Sequence, residues 1–402
     1  MFVFGENHMK LTNLIKKLGA FEPDGYPFLT IYINSEADST GRDNFHVWLK
    51  KEFSEQAMLY KENEEEAGRH EKTVEKINNY IETEVDAQAK GITVFASLGD
   101  SEFFEAIQFS IPVAESRLYN FDRPHIFPLA KIIGQNPKYA VLWADTNKAD
   151  IYVFGGENHI RADQDANPKV ENIQNTVTNR TSVGGWSQAR YQRHIENYHL
   201  QHAKEVVAEV ETIMSKLSIE YLILCGDEST IMPTLRPQLP KALDEKVIGT
   251  LNISQYDSVD EIREKTRELF DIDHAERDKK QVERVFDAAK AAAAVGTLGV
   301  EDTLKALSNG QVQELLLSSD FDAIDYKPAA VEKILNDYAP GDDQSSVDTM
   351  PIVHNAGEIA DELITRAINS DVKIIFIDDT SLLEQVGGVG AVLRYNMNAT
   401  AG

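Results

Sequence analysis

Between residues 139 and 225 the chain spells out two strands, a helix and a third strand, an order that leaves few folds open. The stretch YAVLWADTNKADIYVFGG sets two apolar runs around the turn-forming DTNKAD, the pattern of a β-hairpin. Further on, Ile195, Tyr198, His202, Val206, Val210, Ile213 and Leu217 recur every three or four residues, so a helix of about six turns would carry one apolar stripe. EYLILCG then reads as a buried strand. Strand, strand, helix, strand predicts an α/β domain.

The rest of the chain divides around this domain, as 402 residues exceed what one ordinary core organises. MKLTNLIKKLGAF, from Met9, reads as an amphipathic helix and leaves the first eight residues as a loose leader or an upstream start. YPFLTIYIN (26–34) is strand-like, two charged helical stretches follow at 43–62 and 71–89, and GITVFAS is a second strand. The acidic run of Glu62 and Glu64 to Glu66 reads as a solvated helix junction. The prolines of PVAESRLYNFDRPHIFPLAKII suggest an extended connection, with a boundary near 127–137, and residues 162–182 form a polar stretch.

Ser258 and Glu261 form a capping box, with helical composition running to Ala294. VEDTLKALSNGQVQELLLSSD then reads helix, Asn-Gly stop, strand, and AGEIADELITRAINSDVKIIFID repeats that order. YKPAAVEKILNDYAPGDDQSSVDTMP reads as a mobile loop and NMNATAG as a frayed tail. The expectation is an α/β protein of three domains: an N-terminal α/β domain at 1–136, a central α/β domain at 137–257 and a C-terminal α/β domain at 258–402.

A formal charge of −26 would repel a polyanion averaged over the surface, which argues against a general nucleic-acid coat and makes any local basic patch informative. Cys225 is the only cysteine, so no disulfide framework exists, and its apolar surroundings mark it as a small core residue. No basic leader precedes an apolar stretch, and no apolar run approaches the roughly 18 residues that cross a bilayer. The chain reads as soluble and cytoplasmic, with no membrane contact.

The basic patch sits at TSVGGWSQARYQRHIENYH, residues 181–199. From Arg180 to Lys204 the net charge is +3 with histidines neutral, from Arg180, Arg190, Arg193 and Lys204 against Glu196. Arg190, Arg193 and His194 fall at spacings of three and four on one helix face. An exposed helix behind a loop would account for that much. The pair Gly184 and Gly185 costs backbone entropy that a purely structural helix start has no use for. Two glycines before a helix N-terminus bare backbone N–H groups beside a partial positive charge, which suits an anionic partner or an oxyanion. Ser187 and Gln188 could orient water or a hydroxyl. His194, His199 and His202 do not converge as metal ligands, and solvated or phosphate-contacting roles fit them better. No metal and no cofactor is called for.

On these residues the chain resembles a known family. GGWSQARYQRHIENYHLQHAKEVVAEV is similar to the central-domain signature of the eukaryotic and archaeal class-one translation termination factors, Gly-Gly-Gln followed by Ser, a small pair, Arg, an aromatic and a basic helix. Gly184, Gly185, Ser187, Arg190, Tyr191 and Arg193 match without gaps, and Trp186 stands in the place of the glutamine. Against the related ribosome-associated peptidyl-tRNA hydrolases, whose loop reads Gly-Gly-Ser-Gln-Ser-Ala-Arg, Gly184, Gly185, Ala189 and Arg190 match and Gln188 lies one step late. LLEQVGGVGAVLRY and LSNGQVQELLLS resemble segments of the third domain of the termination factors; as a dinucleotide motif GGVGAVLRY lacks the right spacing and a following helix, and it reads as a tight turn on a strand. The first domain has neither Asn-Ile-Lys-Ser nor Tyr-x-Cys-x-x-x-Phe, and YPFLTIYIN and PHIFPLAKII resemble bacterial members of the archaeo-eukaryotic release-factor superfamily.

The resemblance implies a ribosome-associated release or rescue factor that hydrolyses peptidyl-tRNA without reading stop codons. Gly184, Gly185, Trp186, Ser187 and Gln188 would form the catalytic loop, Arg180, Arg190, Arg193, His194 and Lys204 would meet ribosomal RNA, and the C-terminal domain would recruit a partner such as a translational GTPase. The competing reading is a non-catalytic ribosome-binding or RNA-surveillance factor, in which Trp186 stacks on an exposed base. The pattern alone leaves open whether the chain is an enzyme.

Overall fold

A computed structural model describes residues 11–36, 45–156, 169–174, 188–254, 256–291, 294–325, 333–334 and 355–395, with 169–174 and 188–196 described as backbone. The described residues group into two compact units, one built from the chain up to Asn136 and from Arg277 onward, the other from Pro137 to Glu276.

The first unit begins with α1 (Leu11–Gly19), whose Leu11, Leu14, Ile15 and Leu18 make the buried stripe expected of MKLTNLIKKLGAF. Strand β1 (Phe28–Asn34) is followed by α2 (Phe45–Leu59) and α3 (Glu64–Thr83), then β2 (Gly91–Ser97), β3 (Phe104–Phe109), β4 (Arg117–Phe121) and α4 (Phe127–Gly134). The strands form an antiparallel sheet in the order β3-β2-β1-β4. Two corrections to the sequence reading arise here. Glu64 to Glu66 are the first turn of α3 and no junction: the Asn63 side chain accepts from the amides of Glu65 and Glu66, and acidic residues suit that positive end. The proline-rich segment expected to be an extended connection holds β4 and α4. Pro128 sits in the first turn of α4, where a missing N–H costs nothing.

The second unit opens with the hairpin read from the sequence, β5 (Tyr139–Ala144) and β6 (Lys148–Phe154) paired antiparallel from Tyr139–Phe154 to Ala144–Ala149. The Asp145 carboxylate closes its turn by accepting from the amides of Asn147 and Lys148. Strand β7 (Lys169–Gln174) pairs with β6 inside the stretch read only as polar, because an edge strand needs few apolar residues. Helix α5 (Gln188–Lys216), strand β8 (Tyr221–Cys225), the short α6 (Met232–Leu235) and α7 (Lys241–Asp244), and strand β9 (Val247–Leu251) follow. The sheet order is β7-β6-β5-β8-β9, with β8 parallel to both β5 and β9. The YAVLWA run is apolar throughout because both faces of β5 are buried. Ala140, Leu142 and Ala144 pack on one side with Ala203, Val206, Val210 and Ile213 of α5; Tyr139, Val141 and Trp143 pack on the other with Ile262 and Phe270 of α8 (Val259–Lys290). The Ser258–Glu261 capping box that starts α8 is present, each residue's side chain bonded to the other's backbone amide.

The remainder of the first unit carries β10 (Gly296–Leu298), α9 (Val300–Ser308), β11 (Val312–Ser318), α10 (Ala356–Asn369), β12 (Lys373–Ile377) and β13 (Val389–Leu393); α9 with β11 and α10 with β12 are the two helix-stop-strand repeats predicted, and β10 was not read. The sheet order is β10-β13-β11-β12, with only β11 and β12 parallel. Gly387 and Gly388 take positive φ, 70° and 78°, in the turn before β13, a conformation that favours glycine, so GGVGAVLRY is the tight turn on a strand that its spacing suggests. One face of this sheet packs on α9 and α10, and the other on the last part of α8 through Val282 and Val285. Of the loop read at 326–351 only 333–334 are described, in helical conformation with Ile334 buried; the rest of it and the tail at 396–402 lie outside the described residues.

One apolar cluster runs through both ends of the chain: Phe28, Tyr32, Phe95 and Phe109 of the first sheet pack in it with α1, α4, Leu315 and Leu317 of β11, and α10. At its centre Asp361 of α10, 3% exposed, accepts from His125 Nδ1 at 2.7 Å and from the amides of Ile126 and Phe127 at 2.8 Å each. Burial raises the Asp361 carboxyl above the ordinary carboxylate range, against the opposing pull of His125 and the two amides. Tyr32 Oη donates to the His125 carbonyl and accepts from the amide of Leu129, which ties β1 into the same knot.

Cys225 is 0% exposed in the second unit's core, and burial pushes its thiol up to about 12. The thiol is therefore expected to resist iodoacetamide at pH 8 in the native protein and to alkylate fully once urea unfolds the chain, as read by intact mass; rapid native labelling would contradict the burial of β8.

Candidate functional site: the basic face of α5

The sequence stripe that predicted α5 is the stripe that folds inward. Ala203, Val206, Val207, Val210, Ile213 and Met214 are buried against the sheet, and Asn197, Gln201, Lys204 and Ala208 are exposed. At 3.6 residues per turn, positions 190, 193 and 194 stand in register with this exposed set, on the side of the helix away from the buried one. Arg190, Arg193 and His194 therefore share a face with Lys204. Gln188 is the first residue of α5, in the turn whose amides have no partner within the helix and whose dipole end is positive. Arg180, Gly184, Gly185, Trp186 and Ser187 lie outside the described residues.

The structure thus brings Lys204 and the register of Arg190, Arg193 and His194 onto one face that begins at Gln188. Further along that side the charge changes sign at Glu205, which accepts from Gln201 Nε2 at 3.0 Å. In the sequence of α5 the basic Arg190 and Arg193 come first, ahead of Glu196 and Lys204. A site of this kind holds an anion by charge, backbone donors and dipole acting together.

His202 departs from its expected solvated or phosphate-contacting role. It is 1% exposed, on the edge of the apolar stripe, and burial lowers its basicity. His199, three residues earlier, is half-buried. The reason is already in the spacing: His202 keeps the register of Tyr198 and Val206, so packing, not chemistry, decides its place.

Residues 124–271 match the model of bacterial archaeo-eukaryotic release factor family 10, and residues 275–397 match that of eRF1 domain 3. The chain belongs to the archaeo-eukaryotic release factor superfamily. Among curated relatives it is similar to Peptide chain release factor subunit 1 of Thermococcus kodakarensis, 23% identical over 306 residues that cover 70% of this chain and 72% of the relative. It is also similar to Eukaryotic peptide chain release factor subunit 1 of Saccharomyces cerevisiae, 26% identical over 242 residues and 54% of each chain. Among solved structures, ribosome-bound archaeal Pelota with ABCE1 aligns at 13% identity over 96% of this chain and 94% of that one, with a TM-score of 0.40. Among the described residues no helix is long and apolar enough to cross a membrane.

A histidine held neutral by burial takes up a proton on unfolding. With an unfolded pKa near 6.5, the unfolded chain gains that proton as pH falls through this value and the folded chain does not, so stability is lost on the acid side. The urea midpoint of wild type should fall between pH about 7 and about 5, and His202→Leu should flatten part of that fall. Identical pH slopes for the two proteins would mean that the imidazole titrates freely in the fold.

Proposed function

We propose that this protein is a ribosome-associated release or rescue factor that hydrolyses the ester of peptidyl-tRNA, with residues 184–188 as the catalytic loop and no reading of stop codons. The observation that carries the proposal is the position of α5. A glycine pair stands three residues before the first residue of a long helix on which Arg190 and Arg193 keep the register of the exposed Lys204, in a chain of net charge −26. Membership of the release factor superfamily supports the same reading. Translation termination or rescue of stalled ribosomes is the process, and the ribosome is the partner, with a translational GTPase engaging the C-terminal sheet.

In this mechanism Gly184 and Gly185 let the backbone approach the peptidyl ester closely, since a Cβ at either would bar that approach. The amide of Trp186 or Ser187 donates to the carbonyl oxygen as it becomes an oxyanion. Gln188 orients a water molecule. Its oxygen bonds to the carbonyl carbon, the bond from that carbon to the tRNA ribose oxygen breaks, and the ribose oxygen leaves with a proton. Arg190, Arg193 and Lys204 neutralise RNA phosphates and hold the loop in place, with Arg180 and His194 beside them.

Trp186, in place of the glutamine found in the termination factors, favours a second reading, a binding factor whose indole stacks on an unpaired base.

Four measurements test these readings, the first of them both at once. Arg190→Glu with Arg193→Glu should abolish cosedimentation with ribosomes at low salt and leave the circular dichroism unchanged, as substitutions at exposed helix positions alter stability little; undiminished cosedimentation would remove α5 from the RNA. Gln188→Ala should slow peptide release from stalled ribosomes by about ten- to a thousandfold with ribosome affinity nearly unchanged. Trp186→Ala should weaken binding by roughly 1–3 kcal/mol if the indole stacks. A wild-type protein that binds stalled ribosomes and releases no peptide would leave only the binding reading.

A further inference from the structure

Helix α4 has no cap of its own. Its N-cap position is Ile126, whose side chain cannot accept a hydrogen bond, and its first turn is deep in the apolar cluster, where an unmet N–H is costly. The cap comes instead from Asp361, more than 230 residues further along the chain on α10: Oδ1 accepts from the amides of Ile126 and Phe127, at 2.8 Å each. Oδ2 is hydrogen-bonded to His125 Nδ1, and His125 Nε2 is buried with no partner among the described residues, so this bond is the anchor of the ring.

One turn before Asp361, α10 carries Gly357, where a Cβ would stand 2.7 Å from His125 Cε1 and 2.8 Å from Oδ1 of Asn355, the helix's own cap. Only glycine lets the imidazole lie this close to the helix. Gly357 and Asp361 thus form one recognition face, spaced four residues apart, shaped for the RPHIF segment at 123–127. At its rim Glu362 sits 3.8 Å from Arg123 and 2.6 Å from Arg366. Helix α10 is itself firmly begun by the capping box of Asn355 and Glu358, so its face is presented on a rigid element.

We infer that Asp361 and Gly357 act as a latch, a cap supplied across the chain that lets α4 and the first sheet hold their structure only while α10 is docked. The two ends of the chain therefore open together. Anything that lifts α10 from its seat strips three buried donors of their acceptor at once, and the loss is transmitted to β1 through Tyr32, whose hydroxyl is bonded to both His125 and Leu129. The latch is independent of the loop chemistry proposed for residues 184–188.

Hydrogen exchange of the full chain, followed by mass spectrometry, tests the latch. In Asp361→Asn, which keeps the shape and removes the charge, protection of α4 (Phe127–Gly134) and of α10 (Ala356–Asn369) should fall by the same factor, about tenfold or more, while β5 and β8 keep wild-type protection. Gly357→Ala should lower the same two segments together, by steric means alone. Loss of protection confined to one of the two helices in Asp361→Asn, or no loss in either variant, would overturn the latch.

Discussion

A carboxylate buried among three donors organises the first unit. Asp361 could not lie so deep in an apolar cluster without them, and the amides of Ile126 and Phe127 could not start α4 there without it. Each side of the contact answers a cost created by the other. The aromatic shell of Tyr32, Tyr119, Phe121 and Phe127 around His125 excludes water and makes the pairing strict. The fold of the chain's first 136 residues is in this sense completed by residues near its end.

The second unit rests on a simpler principle. Its central strands β5 and β8 bury both faces, so α5 and α8 are each required to cover one, and α5 is left with a single outward side. That restriction is what gives the basic residues a common direction. In a chain with 66 acidic and 40 basic side chains, the stretch from Arg180 to Lys204 is unusual in holding four basic residues and one acidic one, Glu196. The sign of the charge and the position of the glycine pair together favour contact with an anion over a merely solvated helix.

Membership of the release factor superfamily supplies the context in which that face has a purpose, and the departure at Trp186 supplies the tension. A glutamine side chain can orient water, and an indole has one donor and a wide apolar surface. With Gln188 two positions later, at the first residue of α5, the polar group that would handle water is carried by the helix itself.

Local pattern determined much of this protein. The hairpin at 139–154, the long amphipathic α5, the buried strand ending at Cys225, the Ser258 cap and the two helix-stop-strand repeats could all be read directly, because each depends on neighbours within a few residues. The common register of Arg190, Arg193 and His194 along the helix was legible for the same reason. Elements with weak local signals were not: β4 and α4 lay under a run of prolines, β7 had too few apolar residues to declare itself, and β9 was unmarked. His202 carried two conflicting sequence signals, a place in the apolar stripe and membership of a histidine trio, and the sheet beneath α5 decided for the stripe. Least legible was the pairing of His125 with Asp361. Nothing within a few residues of either shows that an aspartate on one helix caps another more than 230 positions away, because the energy that makes the bond worthwhile comes from burying both partners in a core that exists only once the chain has folded.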